Sequence, residues 1–501
     1  MIMRKTKTEV IMAGAEMKPL VKVGGLGDVI GSLPKALVKL GVDVKVFLPF
    51  YGSIDTKKFK TKVLKKNIKL DIDTRAHSFD LYETKLLDAK VKICLIKHKN
   101  FNAKDIYVGS RKYFKKGAYA KKKGAYSRNV DDVERFVFFS KAVVESIRVM
   151  KLQPDVVHCH DWHTALIPTF IDEYNFKDKN FANISSLYTI HNLANQGIAG
   201  LDITDYAGLH HDLTPAIMED YHDQDGGKID SMKVGILSAD YINTVSPNYA
   251  KEILTKEYGA SLEKYLGRRK KHLSGILNGI DIHSFDPETD KAIKKRYDNK
   301  TFTAGKAKNK EDLQILSKLE KNDLPLFGLV TRLVSQKGLD ILLPALESLL
   351  KKYDFQLVVL GTGQKEFEVG FKALAKKYPK KVRANISFDI NLAQKIYAGS
   401  DFFLMPSKFE PCGLGQMIAM RYGAIPVVRS TGGLKDTVVN NKTGIVFKKY
   451  TQKEMKKSLE AALRLYKNKA KFKKIALAGM RKDFSWNASA KEYLKLYKKL
   501  K

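Results

Sequence analysis

A chain of 501 residues exceeds what one ordinary core supports and points to two or three domains. Its composition, 44% hydrophobic and 29% charged, is that of a soluble globular protein; no apolar run approaches the roughly 20 residues of a membrane span, and the basic residues 1–8 lack the apolar stretch of a secretory signal. The net charge of +36 comes from lysines spread over nearly every predicted element without the interleaved aromatics of RRM or OB surfaces, which argues against a specific nucleic-acid ligand and leaves only nonspecific attraction to polyanions.

Apolar runs of strand length at 10–15, 42–50, 91–96, 155–160, 186–191 and 241–246 alternate with longer amphipathic stretches, the pattern of βα units on a parallel sheet. A polar, lysine-rich stretch at 291–322 precedes a second series of the same kind at 326–333, 356–361, 382–388, 402–407, 425–429 and 444–447. Ligands of open α/β sheets bind beyond the carboxyl ends of the strands, so the chemistry should follow those runs. The last segment, 483–500, has helical spacing with Trp486, Tyr493, Leu494 and Tyr497 on one face, which predicts a terminal docking helix. Cys94, Cys159 and Cys412 match no zinc or C-x-x-C spacing, and a reducing cytoplasm is the expected location.

After the first strand comes K-V-G-G-L-G-D, with Lys22 leading Gly24, Gly25 and Gly27 into a helix predicted from Asp28 to Leu40. Glycines let backbone N–H groups approach an anion and the lysine adds a mobile charge, although a plain tight turn would look the same. In the second half, R-L-V-S-Q-K-G-L-D places Arg332 and Lys337 between a strand and a helix; an isolated pair of this spacing reads first as surface cations in routine ion pairs, and facing one pocket the two would suit the charge that builds on a diphosphate leaving group. Downstream, P-S-K-F-E-P-C-G-L-G-Q carries Glu410, and S-T-G-G-L-K-D-T-V carries Thr431, Gly432 and Gly433 as a second anion-receptive loop. His158, Cys159, His160, Asp161 and His163 are all metal-ligand types, but on a strand His158 and His160 share a face opposite Cys159 and no distant motif completes a shell, so no metal is expected.

With H-N-L-A-N-Q-G, P-D-V-V-H-C-H-D-W-H, V-S-P-N-Y-A, L-S-G-I-L-N-G-I-D and the F-S-W ending, these motifs cover nearly the whole chain, which resembles the bacterial and plant glycogen/starch synthases, glycosyltransferase family 5. The resemblance implies an α/β fold of two Rossmann-like domains facing across a deep cleft (GT-B type), with the C-terminal helix crossing back to the N-terminal domain. The implied division is 1–260, acceptor side; 261–481, nucleotide-sugar side; and 482–501, the helix. It implies a retaining glucosyltransferase that elongates α-1,4-glucan, with ADP-glucose as donor and UDP-glucose as the alternative, without metal or cofactor, by front-face displacement rather than through a carboxylate nucleophile. Lys22, Arg332 and Lys337 would hold the diphosphate with Gly24, Gly25, Gly432 and Gly433 beside them. Glu410, Cys412, Gly413 and Leu414 would line the glucose and ribose region. Asn278 would approach the sugar, His191 the reacting centre, and Asp161 and Trp162 the acceptor or glucose. Asp28 and Thr431 join the donor set, and Phe388 offers a stacking face where relatives carry tyrosine.

Three departures accompany the match: Val23 replaces the threonine of K-T-G-G-L, Asn195 the aromatic of H-N-L-A-Y-Q-G, and Gly415 the threonine of E-P-C-G-L-T-Q. The E-x7-E pattern of broader transferases ends at Ile418, as is normal in this family. Rival readings are a glycogen phosphorylase, for which no pyridoxal-lysine motif is present; a sucrose or trehalose-phosphate synthase relative; and a diverged glucan-binding regulatory protein.

Overall fold

Residues 7–72, 75–86, 89–109, 131–200, 202–209 and 228–501 are described by the computed structural model. They form two compact units, one of Met1–Val245, Glu252–Ile276 and Ser489–Lys501, the other of Ser246–Lys251 and Leu277–Ala488.

The first unit is built on strands β1 (Glu9–Ala13), β2 (Asp43–Pro49), β3 (Lys62–Ile72), β4 (Arg75–Lys85), β5 (Lys92–Lys97), β6 (Val156–His160), β7 (Ser185–Ile190), the short antiparallel pair β8 (Ile198–Gly200) and β9 (Lys228–Asp230), β10 (Tyr241–Thr244) and β11 (Leu273–Gly275). The main sheet runs in the order β11-β10-β7-β6-β1-β2-β5-β4-β3. From β1 the chain passes to β2, then to the edge strand β3, and returns inward through β4 to β5; β6 restarts on the other side of β1, so the switch point lies between β1 and β6. Every expected run in this half contains a strand, but β3 and β4 are additional and antiparallel, which corrects an all-parallel expectation. In β3 only Ile68, Leu70 and Ile72 are buried, at alternate positions among lysines, so no continuous apolar run marks the strand. The helix expected from Asp28 begins three residues earlier, spanning Gly25–Lys39, because Gly25 already takes the first helical position.

The second unit is a six-stranded parallel sheet of β12 (Leu326–Val330), β13 (Gln356–Leu360), β14 (Val382–Asn385), β15 (Phe402–Met405), β16 (Ile425–Arg429) and β17 (Ile445–Phe447), in the order β14-β13-β12-β15-β16-β17. Its switch point lies between β12 and β15, which pair directly. Leu326 and Val358 from the sheet pack with Leu313 and Ile396 from flanking helices, and burying a side chain of this size stabilises by about 1.5–3 kcal/mol. The lysine-rich stretch 291–322 is therefore not merely polar: it contains the helix Phe302–Leu316. Two of its lysines are buried with partners, Lys310 on Asp401 at 2.7 Å and Lys306 on the Ser400 carbonyl at 2.5 Å.

The expected boundary after residue 260 falls inside the first unit, where β11 pairs with β10. Residues 246–251 instead join the second unit, through Ser246 Oγ donating to the Pro411 carbonyl at 2.7 Å and the Asn248 N–H donating to Asp436 at 2.8 Å. The terminal helix, Trp486–Leu500, crosses back to the N-terminal unit, to which Ser489–Lys501 belongs. Its buried side chains include Trp486, Tyr493 and Tyr497, with Leu496 in place of the expected Leu494. Ser185 Oγ donates to the Leu500 carbonyl at 2.7 Å and holds the end of this helix against β7.

Candidate active site

At the switch point of the second sheet, the loops after β12 and β15 are zipped together. The Lys408 N–H donates to the Gln336 carbonyl at 2.8 Å, and Gln336 Nε2 donates to the Phe409 carbonyl at 3.2 Å. Beside them, Lys337 Nζ meets Glu410 Oε2 at 2.6 Å, and Ser407 Oγ donates to the same oxygen at 2.9 Å. The close approach depends on Gly338: its φ is +70°, and a Cβ there would stand 2.1 Å from the Pro406 carbonyl oxygen. Lys337 and Glu410 were expected in separate roles, on phosphate and on sugar; they form one ion pair, 16% and 8% exposed. Sequence reasoning missed two supports of this loop, Ser407 and Arg429, whose guanidinium donates to the carbonyls of Ser407 and Lys408. Arg332, in the loop just beyond the end of β12, is exposed and has no side-chain hydrogen bond or ion pair among the described residues. It is a cation available to an incoming anion.

The two glycine loops differ from expectation. Gly433 donates its N–H to the carbonyls of Glu410 and Pro411, at 3.1 and 3.2 Å, so that amide is not open to a phosphate. A Cβ on Gly432, whose φ is +44°, would lie 1.9 Å from the Glu410 carbonyl oxygen, and one on Gly433 would lie 2.1 Å from that of Cys412. Both glycines thus let the loop press onto the Glu410–Cys412 backbone. Thr431 is fully buried there. In the first unit the N–H groups of Val23 and Gly24 both donate to the Glu16 carboxylate, the latter at 2.8 Å. Glu16, 2% exposed and overlooked in the sequence, is a built-in anion at the start of the helix, so the Gly24 amide is also taken. Gly25 differs: it is exposed, and a Cβ there would meet nothing within 4 Å. Lys22 is 41% exposed and pairs with Asp28 at 2.6 Å, so Asp28 balances the lysine rather than standing apart from it.

Beyond β6 and β7, Asp161 and His191 are brought together through the backbone. The His191 N–H donates to Asp161 Oδ1 at 2.7 Å, and the Asn192 N–H to the same oxygen at 3.4 Å. Asp161 adopts a φ of +54°, unusual for a residue other than glycine and a mark of a constrained turn. Burial pushes its carboxyl up to about 7, against the smaller opposing effect of those two N–H donors. A carboxyl that holds its proton in the native state but loses it near pH 4 when unfolded makes stability fall as pH rises from about 4 to about 7, by on the order of 4 kcal/mol in all. Asp161→Asn keeps the acceptor and removes the titration. Denaturant unfolding at pH 5 and pH 8 should show the variant gaining on the parent at the higher pH; equal differences at both would remove Asp161 from this role.

The neighbouring histidines are engaged with protein groups. His158 Nδ1 meets the Tyr497 hydroxyl at 2.8 Å and its Nε2 meets Thr189 Oγ1 at 2.7 Å. His160 Nδ1 meets His191 Nε2 at 2.9 Å, and His163 Nε2 meets the Tyr107 hydroxyl at 2.9 Å. Burial pushes His191 and His163 down to about 3 and holds His158 and His160 well below the usual histidine range, so all four rings are neutral near pH 7. Cys159 is buried and its thiol is raised by desolvation. Among the described residues no group of three or more His, Cys, Asp or Glu side chains is placed to hold a metal ion.

Back in the second unit, Asn278 is buried with its Oδ1 unpartnered among the described residues, beside Cys412, whose thiol accepts from the Asn278 N–H and is pushed up to about 12 by burial. Gly413 takes a φ of +74° and Leu414 starts the helix Gly415–Arg421. Phe388, after β14, is 86% exposed, an apolar ring with a free face.

The first half, residues 9–268, matches the family described as starch synthase catalytic domain, and residues 311–478 match glycosyl transferases group 1. Glycogen synthase of Bacillus subtilis (strain 168) is 41% identical over 98% of this chain and 98% of its own, and that of Thermotoga maritima is 41% identical over 98% of each. The chain belongs to the glycogen/starch synthase family. The structure of the starch synthase IV catalytic domain from Arabidopsis thaliana, bound to ADP and acarbose, is similar with a TM-score of 0.85 at 32% identity over 99% of both chains. The glycogen/starch synthase fold, two α/β units of GT-B type, and its activity, glucosyl transfer that elongates a glucan, follow from that membership. A sucrose-phosphate synthase from Thermosynechococcus elongatus, 16% identical with a TM-score of 0.58, shares the fold alone. Among the described residues of this synthase no helix is long and apolar enough to cross a membrane. Its departures have local reasons in part: a Cβ on Gly415 would stand 3.1 Å from the Phe403 ring, so glycine accompanies tight packing there, whereas Val23 and Asn195 are exposed and nothing in the structure explains them.

Proposed function

We propose that this synthase transfers glucose from ADP-glucose to the nonreducing 4-hydroxyl of an α-1,4-glucan with retention, in the cytoplasm. The observation that carries the reading is the Lys337–Glu410 pair at the switch point between β12 and β15, flanked by the free cation Arg332. Lys337 has three N–H donors and gives one to Glu410, which leaves two for a diphosphate oxygen. Arg332 supplies a forked donor set for the same group. Lys22 and the open face at Gly25 are assigned to donor phosphates, Phe388 to the base, and Glu410, Cys412, Gly413, Leu414 and Asn278 to glucose and ribose. Thr431 and Gly432 shape that region, and His191 and Asp161 serve the reacting glucose and its acceptor. Three unpaired, buried cysteines accord with a reducing compartment.

In the reaction the bond from the anomeric carbon to the diphosphate oxygen breaks while the acceptor oxygen bonds to the same face. The acceptor's proton passes to the departing phosphate. Lys337 and Arg332 stabilise the charge left on that phosphate, and buried Glu410 keeps Lys337 in place. Side-by-side assays with ADP-glucose and UDP-glucose on glycogen test the donor. ADP-glucose should be preferred in kcat/KM by on the order of ten-fold or more, about 1.4 kcal/mol of transition-state discrimination. Equal use, or preference for UDP-glucose, would overturn the assignment.

A further inference from the structure

The histidines of β6 lie outside the roles given so far, yet they form a buried polar line from the terminal helix to His191. Tyr497 meets His158 Nδ1 at 2.8 Å, so when its hydroxyl donates, His158 carries its own proton on Nε2 and donates to Thr189 Oγ1 at 2.7 Å. Asn243 Nδ2 steadies this arrangement by donating to the Tyr493 hydroxyl at 3.0 Å and to Thr189 Oγ1 at 3.3 Å. The His158 ring lies against that of His160 with centroids 4.0 Å apart, and His160 Nδ1 meets His191 Nε2 at 2.9 Å.

The direction of that last bond follows from the other ring nitrogen of His160: Nε2 is buried with no partner among the described residues. An orphaned buried N–H is rarer and more costly than a bare acceptor, so the His160 proton sits on Nδ1 and is donated to His191 Nε2. His191 then carries its own proton on Nδ1. That nitrogen bonds to no described residue, and His191 is only half-buried. We propose that His160 is a positioning residue that fixes His191 as a neutral Nδ1–H donor, and that Tyr497 of the terminal helix, through His158, holds His160 for this task. The donor so presented suits a sugar hydroxyl oxygen or the oxygen on which charge develops. The inference rests on the reading that His191 stands at the reacting centre.

Two measurements on the full chain test it. Long-range 1H–15N spectra of the histidine-labelled protein, with His191 assigned by its loss in His191→Gln, should show Nδ1 protonated and Nε2 bare; the opposite pattern overturns the proposal. In glucose-transfer assays, His160→Leu should lower kcat by about ten- to a hundred-fold with donor KM within about two-fold, as expected when a reacting group is misplaced while the groups that bind the donor stay intact. His160→Asn, whose side-chain N–H can occupy the Nδ1 position, should recover most of that loss, and Tyr497→Phe should show a smaller fall of the same kind. A folded His160→Leu with parental kcat sinks the proposal. His191→Ala is measured alongside: if it turns over normally, the reading of His191 itself fails, whereas an inactive His191→Ala beside an active His160→Leu leaves that reading intact and removes only His160. Should His160→Leu not fold, the spectra of the parent protein decide.

Discussion

Lys337→Ala is expected to lower turnover by about 10²–10³, roughly 2.7–4 kcal/mol, the usual loss when one preorganised charge-stabilising donor is removed. The same change strands Glu410, 8% exposed, with Ser407 Oγ as its one remaining side-chain donor among the described residues, and an uncompensated buried charge destabilises by about 3–5 kcal/mol. The two effects separate in the double variant Lys337→Ala/Glu410→Ala. It should regain much of the lost thermal stability, because no charge is left unpaired, while turnover stays low. Kinetics and melting curves on the four proteins of this cycle check it. A single variant with parental turnover would remove Lys337 from the chemistry; strictly additive melting shifts would deny the coupling.

Gly432→Ala is expected to lower stability by about 2–5 kcal/mol, from a positive-φ penalty of about 1–2 kcal/mol and overpacking of about 1–3 kcal/mol. Its Cβ would fall 1.9 Å from the Glu410 carbonyl oxygen, a backbone atom that cannot swing aside, so the Glu410–Cys412 segment must shift and turnover should fall with stability. Gly25→Ala is the contrast. Nothing lies within 4 Å of its Cβ, so its melting temperature should stay near the parent's while donor KM rises if phosphate approaches that face. Unchanged stability in Gly432→Ala would mean that the loop is not pressed onto Glu410 as described.

The parallel strands were legible because both faces of a sheet strand such as Leu326–Val330 are covered, which leaves a continuous apolar run in the sequence. Strand Lys62–Ile72 was not, because lysines occupy its exposed positions and only alternate residues carry the signal. The switch-point loops were legible as well: Lys22, Asp161, His191, Arg332, Lys337 and Glu410 all follow strands. Their partners were not. Nothing in the spacing says that Lys337 lies on Glu410, that Gly24 and Gly433 give their N–H groups to the chain's own oxygens, or that Tyr497 reaches His158, since each pairing depends on how loops distant in sequence fold together. Glu16 left one usable trace, an acidic residue directly after a buried strand and before a glycine loop, where a buried carboxylate requires donors.

Glucosyl transfer to a glucan is expected to need no metal, because the chain's own cations hold the donor diphosphate. Radiolabelled ADP-glucose incubated with glycogen and the protein in the presence of EDTA tests it most directly. Label is expected at nonreducing ends, released by an enzyme specific for α-1,4 links, at a rate within about two-fold of that without chelator, since Arg332 and Lys337 supply the charge stabilisation. No transfer from either ADP-glucose or UDP-glucose, or transfer abolished by EDTA and restored by a divalent cation, would contradict it.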